Sequence, residues 1–175
     1  MKKSGILVSG VNTSLPHGIP SDKVIEKGDL LTMDFGGLYK GYLSDMTRTI
    51  IVGKADDEQK RIYNIVKEAQ QTALNMIKAG INGRERDESV RKVFRKEGLE
   101  DKFPHGLGHG VGLQIHENPY MGRTSKEILE ENCVVTVEPG LYIPGWGGVR
   151  IEDTIVVKKD GIKILTKSSK ELIEL

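Results

Sequence analysis

Leu30-Leu31-Thr32-Met33-Asp34-Phe35-Gly36 and Val134-Val135-Thr136-Val137-Glu138-Pro139-Gly140 follow one pattern: two apolar residues, a threonine, an apolar residue, an acid, one further residue and a glycine. Each reads as a strand that ends in a carboxylate. After each comes an aromatic-bearing turn and a second acidic strand, Asp45-Met46-Thr47-Arg48-Thr49-Ile50-Ile51-Val52 in one case and Glu152-Asp153-Thr154-Ile155-Val156-Val157 in the other. The chain therefore carries an internal repeat of hairpins, each with two acids. Two such halves packed about a pseudo-twofold axis would converge four carboxylates.

Outward from the repeat, residues 5–53 read as strands and turns. Residues 57–79 place Ile62, Ile65, Val66, Ala69, Ala73, Met76 and Ile77 at helical spacing, with Gly80 as the stop. A shorter helix is expected over 85–97, ended by Gly98. Strands return at 108–115, 134–138 and 149–157, the last two joined by a connection rich in glycine and proline. The symmetry has one exception: two helices precede the second hairpin, and only strand and turn precede the first. Its outward-facing apolar residues, in 30–35 and 49–52, are thus expected to need a cover that the chain does not supply.

With 175 residues, 37% hydrophobic and 29% charged, the chain suits one globular domain. Twenty-six basic against 25 acidic residues leave a formal charge of +1, which gives no field to attract nucleic acid or an anionic membrane. Cys133 is the only cysteine and lies in an apolar run, as a buried reduced thiol would; a chain without an intrachain disulfide suits the cytoplasm. The basic start Met1-Lys2-Lys3 imitates a signal peptide only faintly, because Ser9, Gly10 and Asn12 cut the apolar stretch short.

A single Asp or Glu beside a turn is ordinarily solvated. Asp34, Asp45, Glu138 and Glu152 all sit in or beside apolar strands, where unpaired charge is costly, so cations are expected to neutralise them. Two divalent ions about 3.5–4 Å apart are a recurrent hydrolytic device for such a set. A nitrogen ligand is available from His105-Gly106-Leu107-Gly108-His109-Gly110, whose glycines rule against a helix and allow close backbone approach. His17 and His116 also lie near prolines in turn-like segments.

These segments, with Leu15-Pro16-His17-Gly18 and Gly148-Val149-Arg150-Ile151-Glu152-Asp153, resemble the pita-bread metallopeptidases, specifically the Xaa-Pro dipeptidase and aminopeptidase branch. The resemblance covers essentially the whole chain. It implies an α+β pita-bread (creatinase/aminopeptidase-like) fold with pseudo-twofold related halves, the first lacking its helices. It further implies that Asp34, Asp45, His109, Glu138 and Glu152 are metal ligands, Asp45 and Glu152 bridging two divalent ions. A site of four carboxylates and one imidazole suits Mn2+, with Co2+, Fe2+ or Zn2+ as substitutes. By the same resemblance, hydroxide activated by the metal pair cleaves the bond preceding proline in a peptide substrate. Glu138 shuttles the proton, His17 and His116 hold the carbonyl and oxyanion, His105 lines the pocket and Arg150 orients the carboxylates.

Methionine aminopeptidases share this fold and ligand set, and metal-free relatives serve as peptide-binding modules, so both stay as alternatives, as does an inactive fragment. Relatives usually carry helices and a further domain before the first hairpin. The expectation is accordingly an N-terminally truncated catalytic domain over 1–175, with self-association or a separate N-terminal portion covering the first hairpin.

Overall fold

The structure is a computed structural model that describes residues 5–175; the basic start Met1-Lys2-Lys3 lies outside the described residues. β1 (Gly5–Ser9), β2 (Leu30–Phe35) and β5 (Met46–Ile51) form an antiparallel sheet in the order β1-β2-β5, and β3 (Leu38–Tyr39) with β4 (Tyr42–Leu43) makes the small tip of the β2–β5 hairpin. A 3-10 turn, Gly10–Ser14, follows β1. Two helices, α1 (Asp57–Met76) and α2 (Gly83–Lys96), separate this half from the next. The second half holds β6 (Gly108–Gly110), β7 (Glu117–Met121), β8 (Val134–Val137), β9 (Gly140–Ile143), β10 (Gly147–Arg150), β11 (Asp153–Lys158) and β12 (Gly161–Ile164). Its main sheet runs β12-β11-β8-β6-β7, while β9 and β10 pair apart from it.

α1 starts where the sequence says a helix can. Asp56 accepts from the Gln59 backbone while the Gln59 side chain accepts from the Asp56 backbone, a reciprocal cap that satisfies two otherwise orphaned N–H groups. Ile62, Tyr63, Val66, Ala69, Ala73 and Leu74 then face the common core with Val135, Val137, Leu141 and Ile155 of the second half. The helix ends three residues before the expected position. Ala79 donates to Lys158 and Gly80 to Leu129, so these backbone groups exchange the helix for partners in the second half. α2 begins two residues early because the Asn82 side chain caps Arg84.

Three strand expectations need correction. The strand expected over 108–115 stops at Gly110, where the pairing with β7 shifts register, and beyond it Gly112 accepts from Leu43 of the first hairpin. The glycine-rich connection expected between the last two strands is itself a hairpin, β9–β10, turned at Gly145 with φ +78°. The strand expected over 149–157 is two strands in different sheets, broken at Ile151 and Glu152.

The first hairpin is better covered than expected. Leu30, Leu31, Ile50 and Ile51 are buried. One flank is closed by the end of the chain, where Ile51 donates to Ile173 and accepts from Leu175. Among the apolar residues left exposed near it are Leu7 on β1, Phe35 at the open end, Leu38, Tyr39 and Tyr42 at the tip, and Ile25, which shares a smaller pocket with Leu7 and Leu31.

α2 also braces the segment leading into β6. Arg91 and Asp87 form a fully buried ion pair at 2.6 Å; Arg91 additionally donates to the Phe103 and His105 carbonyls, and Asp87 accepts from Leu107 N–H. Replacing Asp87 with Ala strands the guanidinium, and urea unfolding is expected to register a loss of about 3–5 kcal/mol. A loss below about 1 kcal/mol would mean that the pair does not support this segment.

Candidate metal centre

The two hairpin mouths and β6 open into one cavity of about 630 Å³, lined by Asp34, Asp45, His109, Glu138 and Glu152 together with His17, His105, His116 and Arg150. Every residue singled out from the sequence thus faces the same space. Asp34 ends the inward face of β2, and Asp45 immediately precedes β5. Glu138 follows β8, and Glu152 occupies the break between β10 and β11.

Ligand atoms of Asp45, His109 and Glu152 lie within 4.8 Å of one another. His109 Nε2 is 3.1 Å from Glu138 Oε1 and 4.0 Å from Asp45 Oδ2. Its Nδ1 is 3.0 Å from the Gly110 carbonyl; a hydrogen donated there leaves Nε2 directed at the carboxylates, the tautomer a metal ligand needs. The glycines flanking His109 permit this approach, since a Cβ at Gly108 would lie 2.1 Å from Thr136 O and one at Gly110 2.4 Å from Asn118 O.

The electrostatics are those of crowded acids. Burial, then the charges of Asp34 and Glu138, push Asp45 up to about 7. Burial, then Glu138 and Asp45, raise Glu152 well above the ordinary carboxylate range. Glu138 goes the other way: burial raises it, but the hydrogen bond with His109 and the nearby His105 and Arg150 hold it below its usual value. Burial works against charge on His109 too, yet Glu138 and Asp45 lift its affinity for a proton.

Arg150 answers part of this negative charge. It donates to Asp34 Oδ2 at 2.6 Å, Tyr142 Oη at 2.7 Å, Thr47 Oγ1 at 3.1 Å and the Pro16 carbonyl at 3.1 Å. Thr47 in turn donates to Glu152 Oε2 at 2.6 Å, leaving Glu152 Oε1 buried with no hydrogen-bond partner among the described residues. An orphaned carboxylate oxygen among like charges is what a cation would satisfy, so the oxygen-rich donor set with the His109 imidazole fits a divalent metal.

His105 lies 2.9 Å from Tyr142 Oη, and the His116 ring packs 4.3 Å from that of His109. Burial, reinforced by the neighbouring His109, lowers the proton affinity of His116; burial does the same for His105. Sequence reasoning missed Thr47, Thr136 and Tyr142. Thr136 accepts from His109 N–H and donates to Glu138. A signal existed for the threonines, since Thr136 holds the repeat position of Thr32, and Thr47 follows Asp45 as Thr154 follows Glu152.

Residues 1–159 match Metallopeptidase family M24. An Xaa-Pro dipeptidase of Pyrococcus horikoshii is 51% identical over 168 residues, 96% of this chain and 48% of that protein. Among solved structures, an Xaa-Pro dipeptidase from Bacillus anthracis superposes with a TM-score of 0.96 at 54% identity, over 98% of this chain and 48% of that one. An X-Pro aminopeptidase from Thermotoga maritima MSB8 gives 0.95 at 43% identity, over 98% and 49%. The chain spans about half the length of the curated relatives it matches.

The raised carboxylates set a pH dependence for the metal-free protein. Asp45 and Glu152 bind protons more tightly folded than unfolded, and so does His109, so their contribution to stability is present at low pH and lost as pH rises through the folded values. His105 and His116 oppose this below their ordinary value of 6.5. With a chelator present, the melting temperature is therefore expected to be higher at pH 6.5 than at pH 8, and saturation with divalent metal to abolish the difference. A chelated protein that melts higher at pH 8 would contradict this electrostatic account.

Proposed function

Since the chain belongs to metallopeptidase family M24, in which it is similar to Xaa-Pro dipeptidases and an X-Pro aminopeptidase, we propose that it hydrolyses the peptide bond preceding proline. The observation that carries the reading is the one cavity shared by Asp34, Asp45, His109, Glu138 and Glu152, with Glu152 Oε1 buried and without a partner among the described residues. These five residues would hold two divalent ions, Mn2+ before Co2+, Fe2+ or Zn2+, which when bound supply an activated water and a Lewis acid for the scissile carbonyl.

The chain's own groups divide the remaining work. Glu138, held ionised by His109, is available to take a proton at its carboxylate and pass it to the departing proline nitrogen. His116, whose environment favours the neutral ring, offers one N–H to the carbonyl oxygen as negative charge develops there, and His17 lines the same cavity for the same task. Arg150 fixes Asp34, so that this carboxylate keeps one orientation. Ile6, Ile19, Pro20, Ile115 and Met121 give the cavity apolar walls suited to a proline ring.

A cytoplasmic setting fits a chain with one cysteine, and among the described residues no helix is long and apolar enough to cross a membrane. The exposed Leu7 and Phe35 beside the first hairpin are the residues that self-association, or a separate N-terminal portion, would cover.

With manganese, purified chain is expected to cleave Ala-Pro, and to cleave Ala-Pro-Ala as well if it is an aminopeptidase. Cleavage of neither, with release of N-terminal methionine instead or with peptide binding alone, would overturn the reading. His116→Ala is expected to lower turnover by about 10²–10³-fold, as loss of an oxyanion donor does, while the bound metal is retained. Loss of metal in that variant would make His116 a ligand instead.

A further inference from the structure

Behind the metal centre, on the opposite side of β5 from Thr47, Arg48 is buried with all five of its N–H groups engaged. One pair of bonds runs to the Thr47 and Glu152 carbonyls. Another reaches Asp153 Oδ1 at 2.7 Å. The last two go to the carbonyls of Ser168 and Ser169, at 3.0 and 2.9 Å, in the segment that ends the chain. On its other oxygen Asp153 receives Gln70 at 3.2 Å and Lys170 at 3.0 Å.

The position of these bonds gives them consequence. Glu152 lies where the chain leaves the β9–β10 hairpin and enters the main sheet, so its backbone has no strand ladder to join. Its N–H donates instead to Thr47, and its carbonyl accepts from Arg48. A buried carbonyl without that partner would cost about 1–3 kcal/mol and would leave the peptide free to turn. Turning it moves the carboxylate that it carries. Arg48 therefore fixes Glu152 from behind while Thr47 fixes it from the front, and Thr154 Oγ1, donating to the Asp45 carbonyl at 2.6 Å, ties in the other central acid.

We propose that Arg48 is a positioning residue for the metal-binding carboxylates, and that residues 165–175 set it in place through the Ser168 and Ser169 carbonyls and the Lys170 ammonium on Asp153. The inference rests on the metal-centre reading above and adds that the end of the chain, remote from the cavity lining, tunes the site. Lys170 is partly buried and does not line the cavity, and its ammonium pairs with Asp153, so the route from it to the metal-binding acids runs through Asp153 and Arg48.

Cobalt binding followed by titration calorimetry and visible absorption tests this without recourse to turnover. Arg48→Lys keeps the charge and loses the fork; it is expected to weaken cobalt binding by about 10–100-fold, and Lys170→Met by about tenfold, each with an altered cobalt spectrum. Lys170→Arg is expected to restore the wild-type values. Lys67→Met supplies the structural control, because it removes another of the tail's ion pairs, Lys67 with Glu171 at 2.6 Å, without touching Asp153. It is expected to shift the metal-free melting temperature by less than Lys170→Met, because its pair is more exposed, and to leave cobalt affinity and spectrum unchanged. Wild-type affinity and spectrum in Lys170→Met, or an equal loss in Lys67→Met, would overturn the inference, and if Arg48→Lys does not fold, these Lys170 and Lys67 measurements decide alone. A wild-type chain that binds no cobalt would defeat the metal-centre reading itself, and this inference with it.

Discussion

The mutual repulsion of Asp45, Glu138 and Glu152 in a largely buried cavity is the constraint around which the rest of the molecule is arranged. Burial is the largest penalty on charge at Asp45 and Glu152, Glu138 raises both further, and Asp45 adds to the rise at Glu152. Fixed partners meet part of the demand: His109 and Thr136 on Glu138, Thr47 on Glu152, Arg150 on Asp34. One oxygen of Glu152 has none among the described residues. The arrangement is thus incomplete as a set of protein–protein bonds, in the sense expected of a binding site, where the outstanding interaction is left to a ligand.

Holding like charges together requires stiff supports, and the repeat supplies them crosswise. Thr47, two residues after Asp45, donates to the Glu152 side chain, while Thr154, two residues after Glu152, donates to the Asp45 carbonyl. Each half therefore grips the other half's acid. The duplication is inexact: Asp34 stands opposite Thr47 in the first hairpin, whereas Val137, one residue before Glu138, stands opposite Asp153 in the second. Aligned at their acids, the two hairpins differ in register by two residues, and Asp34 meets Arg150 while Glu138 meets His109. Residues with the same place in the repeat consequently have different surroundings.

The sequence by itself determined the repeat, both helices and the four acids at the strand ends, while the histidines and Arg150 were joined to them by the family resemblance. Those features depend on local regularities: apolar spacing, glycine stops, and acids at the ends of strands that cannot bury them unpaired. The Asp57–Met76 helix was legible because its apolar residues recur at every turn and Gly80 stands just beyond them. What only the tertiary structure decided are relations between distant segments. Residues 149–157 look like one strand because every residue suits one, yet the chain changes sheets at Glu152, whose backbone groups are taken by Thr47 and Arg48. Neither the final residues closing over Ile51 nor four of the five bonds of Arg48 leave a trace in local pattern, because they are made with backbone groups, which every residue has. Side-chain chemistry is written in the sequence, whereas the choice among identical backbone acceptors is made only when the chain folds.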